Sequence, residues 1–314
     1  MVMDASQASA LGASRPAISH HYDLSNEFYR LWLDAATMSY TCALYGADEP
    51  EESLEAAQIR KLDHHIEQAG AHGAQRVLDI GCGWGNVLRR LTEVHGVQRA
   101  VGLTLSQEQA AWIGRAGDGR TEVHVQSWAD HVPDAPYDAI LSIEAFEAFA
   151  RPGLTAAAKV QIYGALFERC RAWLRPGGRM SLQTIAYGNS GPGDLDTFIS
   201  DEIFPESDLP RLSEVAEAIE RRFELVSLRN DRLHYAKTLR AWLRRLKRNR
   251  GRAVELVGEE TVSRYEQYLR LSMYMFESGA CGLLRMTLQR IDKPRPLRAH
   301  PEEHTDREGQ GESQ

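Results

Sequence analysis

The sequence lacks the spacing of a metal site: its eleven histidines and four cysteines include no His-Glu-x-x-His and no Cys-x-x-Cys pair. Cys42, Cys82, Cys170 and Cys281 stand far apart and read as reduced thiols of a cytoplasmic protein. No apolar run approaches the roughly 18 residues of a membrane span, and the first residues carry neither the charged nor the apolar block of a secretory signal. Surplus positive charge is missing too. With 37 basic against 44 acidic residues the chain carries −7 and no recognition motif, which argues against a nucleic-acid partner. What remains is 314 residues, 43% hydrophobic and 26% charged, enough for one substantial core.

Residues 77–85 read Val-Leu-Asp-Ile-Gly-Cys-Gly-Trp-Gly. Val77, Leu78 and Ile80 around Asp79 predict a short buried strand, and Gly81, Gly83 and Gly85 let the chain turn sharply and bring its backbone against a ligand. A helix is predicted over 86–94, so the ligand sits at the carboxyl end of the first strand of an α/β sheet. A dinucleotide fingerprint wants GxGxxG and an acid about 20 residues on. Here the third glycine comes one position early and the next strand, 99–103, ends at Thr104, so NAD fits poorly. The form Asp-x-Gly-x-Gly-x-Gly resembles the first motif of S-adenosylmethionine (SAM) dependent methyltransferases, whose glycines admit the amino-acid end of a cofactor that has no phosphates.

Further strands are predicted over 122–126, 139–143 and 180–185, with a helix over 155–174 and a turn at 175–178. Ser106 followed by Gln109 predicts a capping box that satisfies two orphaned amides. Residues 187–222, with glycines, prolines and Glu202-Ile203-Phe204-Pro205, read as an insertion, and 223–228 with 234–235 as an edge hairpin. Residues 1–16 and 292–314 are polar and expected to be disordered around one domain at 17–291. The expected fold class is α/β: a doubly wound, Rossmann-like sheet of the class I methyltransferase type with an α-helical substrate-covering insertion.

Three other stretches accompany the glycine motif. His20-His21-Tyr22-Asp23 leads into Phe28, Leu31 and Trp32 at helical spacing and then Met38-Ser39-Tyr40-Thr41-Cys42-Ala43; Ala57-Gln58-x-x-Lys61-Leu62-Asp63 follows, then Gly102-Leu103-Thr104-Leu105-Ser106-x-x-Gln109. In this order they resemble the cyclopropane fatty acid synthase and mycolic acid cyclopropane synthase family over residues 20–291, closer to the single-domain mycolic type. The resemblance implies SAM as cofactor, lined by Tyr40, Thr41, Asp79, Gly81, Gly83, Gly85, Thr104, Leu105, Gln109, Ser127 and Ile143, with Trp128 beside the adenine. It also implies methylation of a cis alkene to a carbocation, and a bound bicarbonate that takes the proton whose loss closes a cyclopropane.

The residues that hold bicarbonate in the family map onto Cys42, Glu147, Ala148, Gln183, Ile185 and Tyr235. Glu147-Ala148 stands where the family reads Glu-His, and Gln183-Thr184-Ile185 where it reads His-Thr-Ile, so two imidazoles are missing. Both changes bear on ring closure rather than on methyl transfer. A third departure is Glu144, where cyclopropane synthases usually carry glycine and the related plant alkaloid N-methyltransferases carry Glu-x-x-Glu-His. Glu144 and Glu147 at i, i+3 share a face, so their repulsion raises at least one pKa; alternatively one of them merely caps the turn. The candidate catalytic set is Glu147 as base, with Glu144, Tyr235, Cys42 and Tyr22. The preferred reaction is methyl or methylene transfer to an alkene carbon of a lipid-like or polyketide-like substrate. The alternative is N-methylation of an alkaloid-like amine. A SAM-binding protein without catalysis is a third reading, against which the intact Tyr22, Tyr40, Glu147 and Tyr235 stand.

Eight basic residues and no acid lie between Lys237 and Arg252, leaving −15 on the remainder. Leu239, Trp242, Leu243 and Leu246 form an apolar stripe in the same run, which predicts a helix. The basic face reads either as solvated surface or as a docking face for an acyl carrier protein, coenzyme A or an anionic lipid headgroup.

Overall fold

Apolar runs buried on both faces build the centre of the sheet, the pattern expected of parallel strands covered on two sides. A computed structural model describes residues 12, 26–47, 52–115, 119–191, 193–194 and 207–293. Its strands are β1 (Arg76–Ile80), β2 (Arg99–Thr104), β3 (Thr121–Val125), β4 (Tyr137–Ile143), β5 (Leu174–Tyr187), β6 (Phe223–Asn230) and β7 (Cys281–Arg290). They lie in the order β3-β2-β1-β4-β5-β7-β6, parallel as far as β5 and antiparallel at β7 and β6. The turn expected at 175–178 bulges out of β5: Leu174 faces Tyr137 and Arg179 already faces Ala139.

The helices are α1 (Asn26–Arg30), α2 (Leu54–Gln68), α3 (Asn86–Glu93), α4 (Gln107–Arg115), α5 (Ala156–Trp173), α6 (Leu212–Ile219), α7 (Arg232–Arg248), α8 (Arg250–Val257) and α9 (Glu259–Ser278). Ile66 of α2, Leu88 and Leu91 of α3 and Ile113 of α4 cover one face of β1, β2 and β4. Ile162, Leu166 and Phe167 of α5 with Val215 of α6 cover the other. A third, aromatic-rich cluster joins Phe28, Tyr29 and Trp32 to Trp84, Trp242 of α7 and Tyr265 of α9. Among the described residues no helix is long and apolar enough to cross a membrane.

Two expectations are corrected here. Residues 234–235 are helical, inside α7, because Tyr235, Leu239, Trp242 and Leu246 bury one continuous helical face. The strand that pairs with β6 is β7, reached only after the three helices α7, α8 and α9. Half of the Ser106 cap also differs. Ser106 Oγ accepts from Gln109 N at 3.2 Å, but Thr104 Oγ1 accepts from Ser106 N at 3.1 Å and donates to Gln109 Oε1 at 2.7 Å, so Thr104 takes over the reciprocal half. His20, His21, Tyr22 and the 202–205 stretch lie outside the described residues.

The three glycines after β1 have different jobs. All have positive φ, but a Cβ at Gly81 would overlap Ala145 and one at Gly85 would meet Ile113 Cγ1 at 2.8 Å, whereas one at Gly83 would enter open space. Gly81 thus lets the turns after β1 and β4 touch, and Gly85 seats α4. Gly81→Ala should lower stability by ~3 kcal/mol, from overpacking and left-handed backbone strain together. Adding Ala145→Gly should recover the steric part and leave ~1 kcal/mol. Urea midpoints at unchanged slope measure both; a Gly81→Ala protein as stable as its parent would contradict the contact.

Candidate functional site

The turns after β1, β2, β3 and β4 open on the carboxyl edge of the parallel strands, where ligands of open α/β sheets bind. Two cavities lie there. One is lined by Gly81, Gly83, Thr104, Leu105, Gln109, Ser127 and Trp128. The other is lined by Tyr40, Thr41, Lys61, Asp79, Gly81, Gly83, Gln109 and Ile143. Glu144 lines both. Every residue expected at the cofactor except Gly85 borders one of these cavities; Gly85 is instead the N-cap of α3.

The second cavity holds an unpaired acid. Asp79 Oδ1 is buried with no hydrogen-bond partner, and burial pushes its carboxyl up to about 7. Beside this wall Lys61, on the buried face of α2, donates to Thr41 Oγ1 at 2.8 Å and Ser39 Oγ at 3.3 Å, and burial draws it down to about 8. Gln58, one turn earlier, donates to Thr41 O at 2.8 Å, so α2 holds the 38–42 segment against the cavity.

The two carboxylates of the expected pair are placed unequally. Glu144 ends β4 with φ 53°, and its N–H continues the ladder to Gln183 O at 2.8 Å. Its Oε1 accepts from Cys42 N at 2.8 Å and Gln183 Nε2 at 2.5 Å, and its Oε2 from the Tyr235 hydroxyl at 2.6 Å. Burial raises its pKa and these three donors oppose the rise. Glu147, in the short 3-10 turn Phe146–Phe149, accepts from Ile185 N through Oε1 while Oε2 is buried without a partner. Burial first, and the Glu144 charge second, push Glu147 up to about 8. Glu147 borders neither cavity, so of the pair the acid facing the ligand space is Glu144.

Of the residues expected around a bound anion, Cys42, Gln183 and Tyr235 therefore converge on Glu144, and Ile185 reaches Glu147. Cys42 takes part through its backbone amide. Its thiol, pushed up to about 12 by burial, donates to Ala43 O at 3.2 Å.

Behind Gln183 lie residues that sequence reasoning missed. Arg285 of β7 donates Nε to Gln183 Oε1 at 2.8 Å and Nη2 to Cys42 O and Ala43 O at 3.2 and 3.1 Å, and is ion-paired to Asp231. Because arginine only donates, Gln183 must turn its oxygen to Arg285 and its amide to Glu144. His65 Nε2 therefore donates to the same Gln183 oxygen at 2.8 Å, and Nδ1 accepts from Ser181 at 2.7 Å. Burial holds this imidazole neutral. His65 thus stands behind Gln183, one residue further from Glu144.

The mycolic acid cyclopropane synthetase family matches residues 11–286. The chain belongs to that family. It is 33% identical over 291 residues to cyclopropane mycolic acid synthase 3 of Mycobacterium tuberculosis, covering 87% of this chain and 96% of that one. The mycolic acid cyclopropane synthase CmaA1 complexed with SAH and CTAB superposes with a TM-score of 0.78 at 32% identity, over 90% of this chain and 100% of that one. Coclaurine N-methyltransferase, at 21% identity and a TM-score of 0.74 over 91% and 86%, shares the fold. This family member is a SAM-dependent methyltransferase, and its cavities fit the cofactor. The unpartnered Asp79 oxygen suits the cationic amino group, the open space over Gly83 admits the chain of the cofactor, and Leu105 and Trp128 offer an apolar berth for adenine.

Asp79→Asn should weaken SAM binding at least about tenfold, ~1.4 kcal/mol, by calorimetry. The cofactor-free protein should gain stability. A carboxyl whose folded pKa is raised to about 7 loses stability as pH rises from the ordinary carboxylate range through 7, and the amide has no such loss. The variant should therefore melt above its parent at pH 8 and lose that margin towards pH 4. Undiminished SAM affinity would contradict the assignment.

Proposed function

We propose that this enzyme transfers the methyl group of SAM to an alkene carbon of a lipid-like or polyketide-like acceptor, and that the substrate cation so formed loses a proton to the carboxylates beside Tyr235. SAM supplies an electrophilic methyl group; the protein supplies a dry pocket and a base. The carrying observation is a pair of buried carboxylates whose hydrogen-bond donors are all neutral groups: the Cys42 and Ile185 amides, the Gln183 side chain and the Tyr235 hydroxyl. Burial raises both carboxyls towards holding a proton, and charge on Glu144 favours a cationic intermediate and a proton leaving it.

The surroundings agree. Tyr40 and Trp84 border the second cavity, aromatic groups that stabilise a cation without attacking it. Loss of the proton from the transferred methyl closes a three-membered ring, and loss from a neighbouring chain carbon leaves a methyl branch and a new alkene. The named mycolic acid relatives support a long apolar acceptor.

Delivery of that acceptor, in the cytoplasm, falls to part of the basic helix. Arg240, Arg245, Arg250 and Arg252 are ion-paired to Glu277, Glu55, Glu259 and Glu255, and Lys237 lies over the Tyr45 ring. Arg244, Lys247 and Arg248 are exposed, with no ion pair among the described residues, and are the docking cations for an acyl carrier or an anionic headgroup. An amine acceptor is the second reading, favoured by Glu144 itself, a carboxylate bordering both cavities that suits an ammonium.

Acceptor competition tests the choice. A cis-unsaturated acyl substrate should release S-adenosylhomocysteine while its saturated counterpart and an aromatic amine release none, and the rate should not track ionisation of the acceptor. Turnover with the amine alone, climbing with pH towards the amine pKa, would overturn the alkene reading.

A further inference from the structure

Glu144 occupies a conformation and a pocket that need explaining together. At φ 53° it sits where glycine is comfortable and a side chain is strained by ~1 kcal/mol. Yet its carboxylate meets three donors drawn from three separate parts of the chain: Cys42 before α2, Gln183 on β5 and Tyr235 on α7. Arg285 reinforces one of them, through the Gln183 side-chain oxygen, so positive charge is relayed to Glu144 without direct contact. The same carboxylate borders both cavities.

We propose that Glu144 is a built-in anion that receives the substrate proton, so that the enzyme turns over without any dissolved carboxylate. In the step, a C–H bond of the substrate cation breaks, its electron pair forms the ring bond or the new alkene, and the proton passes to the Glu144 carboxylate, which returns it to water when the product leaves. Tyr235 holds the carboxylate in place. The anion that the family resemblance sets among Cys42, Gln183 and Tyr235 is here a side chain of the protein. The proposal rests on the alkene reading.

Removing the side chain at its strained position relieves the backbone and leaves a carboxylate-sized gap whose three donors remain. The full-length enzyme, assayed for S-adenosylhomocysteine and product in buffer freed of dissolved carbon dioxide, should run at an unchanged rate when bicarbonate is restored. Glu144→Gly should bind SAM as the parent does but lose about 10²-fold in kcat, as expected for loss of a positioned base. Added bicarbonate or formate should restore its rate saturably. Glu144→Gln, whose amide fills the gap, should be equally slow and gain nothing from either anion. A Glu144→Gly enzyme that is fully active, or one that is folded, slow and deaf to both anions, overturns the proposal. So does a parent enzyme that stops without bicarbonate, a result that needs no variant to fold. Failure of the alkene reading shows up elsewhere, in which acceptor is methylated, and is independent of rescue.

Discussion

One buried carboxylate, accepting from three donors that belong to distant parts of the chain, sets the geometry of this site. Glu144 ties the 38–42 segment, the end of β5 and the first turn of α7 to the end of β4. Hydrogen bonds to a charged group contribute ~1.5–3 kcal/mol each, so three of them offset the ~1 kcal/mol of left-handed strain at this residue and part of its desolvation. The same accounting explains why the shell behind it is satisfied. Arg285, His65 and Asp231 are buried polar groups that would each be costly alone, and each has its partner.

Two other acids of the site follow the opposite principle. Asp79 keeps one oxygen buried and unpartnered, and Glu147 keeps another. Such groups destabilise the protein that carries them and are retained where a ligand or a reaction completes them. The aromatic cluster of Phe28, Tyr29, Trp32, Trp84 and Trp242 reaches the Asp79 cavity through Trp84, and α7 and α9 pack into the same cluster. Fold and chemistry are thus coupled through α7, which supplies both part of that cluster and the Tyr235 hydroxyl on Glu144.

The parts of this arrangement that could be read from sequence were those with a local signal. The strand and glycine turn at 77–85 and the alternation of later strands and helices fall where spacing and motif placed them, and the residues from Thr104 to Trp128 that the resemblance sets at the cofactor border one cavity. His65 and Arg285 gave no such signal, and Lys61 stood in a quoted motif without a role assigned to it. A polar residue on the buried face of a helix, or within a strand such as β7, looks like an interruption of the apolar pattern until its partner is known. The short stretch at 234–235 reads as a strand alone and as a helix only when counted together with Leu239 and Trp242, whose buried face it extends. Glu144 was visible as a departure, but its donors lie 102, 39 and 91 residues away in sequence, beyond any local pattern.

The proposed chemistry is transfer of a methyl group to carbon in a cation-seeking, carboxylate-lined pocket. Mass alone does not test it, because adding a methyl and losing a proton gives the same mass as inserting a methylene. The direct measurement is carbon-13 NMR of the product made with SAM labelled in its methyl group. A label bonded to carbon, as a ring methylene or a methyl branch at the former alkene, is the predicted result. A label bonded to nitrogen, with the alkene of the acceptor intact, would contradict the account.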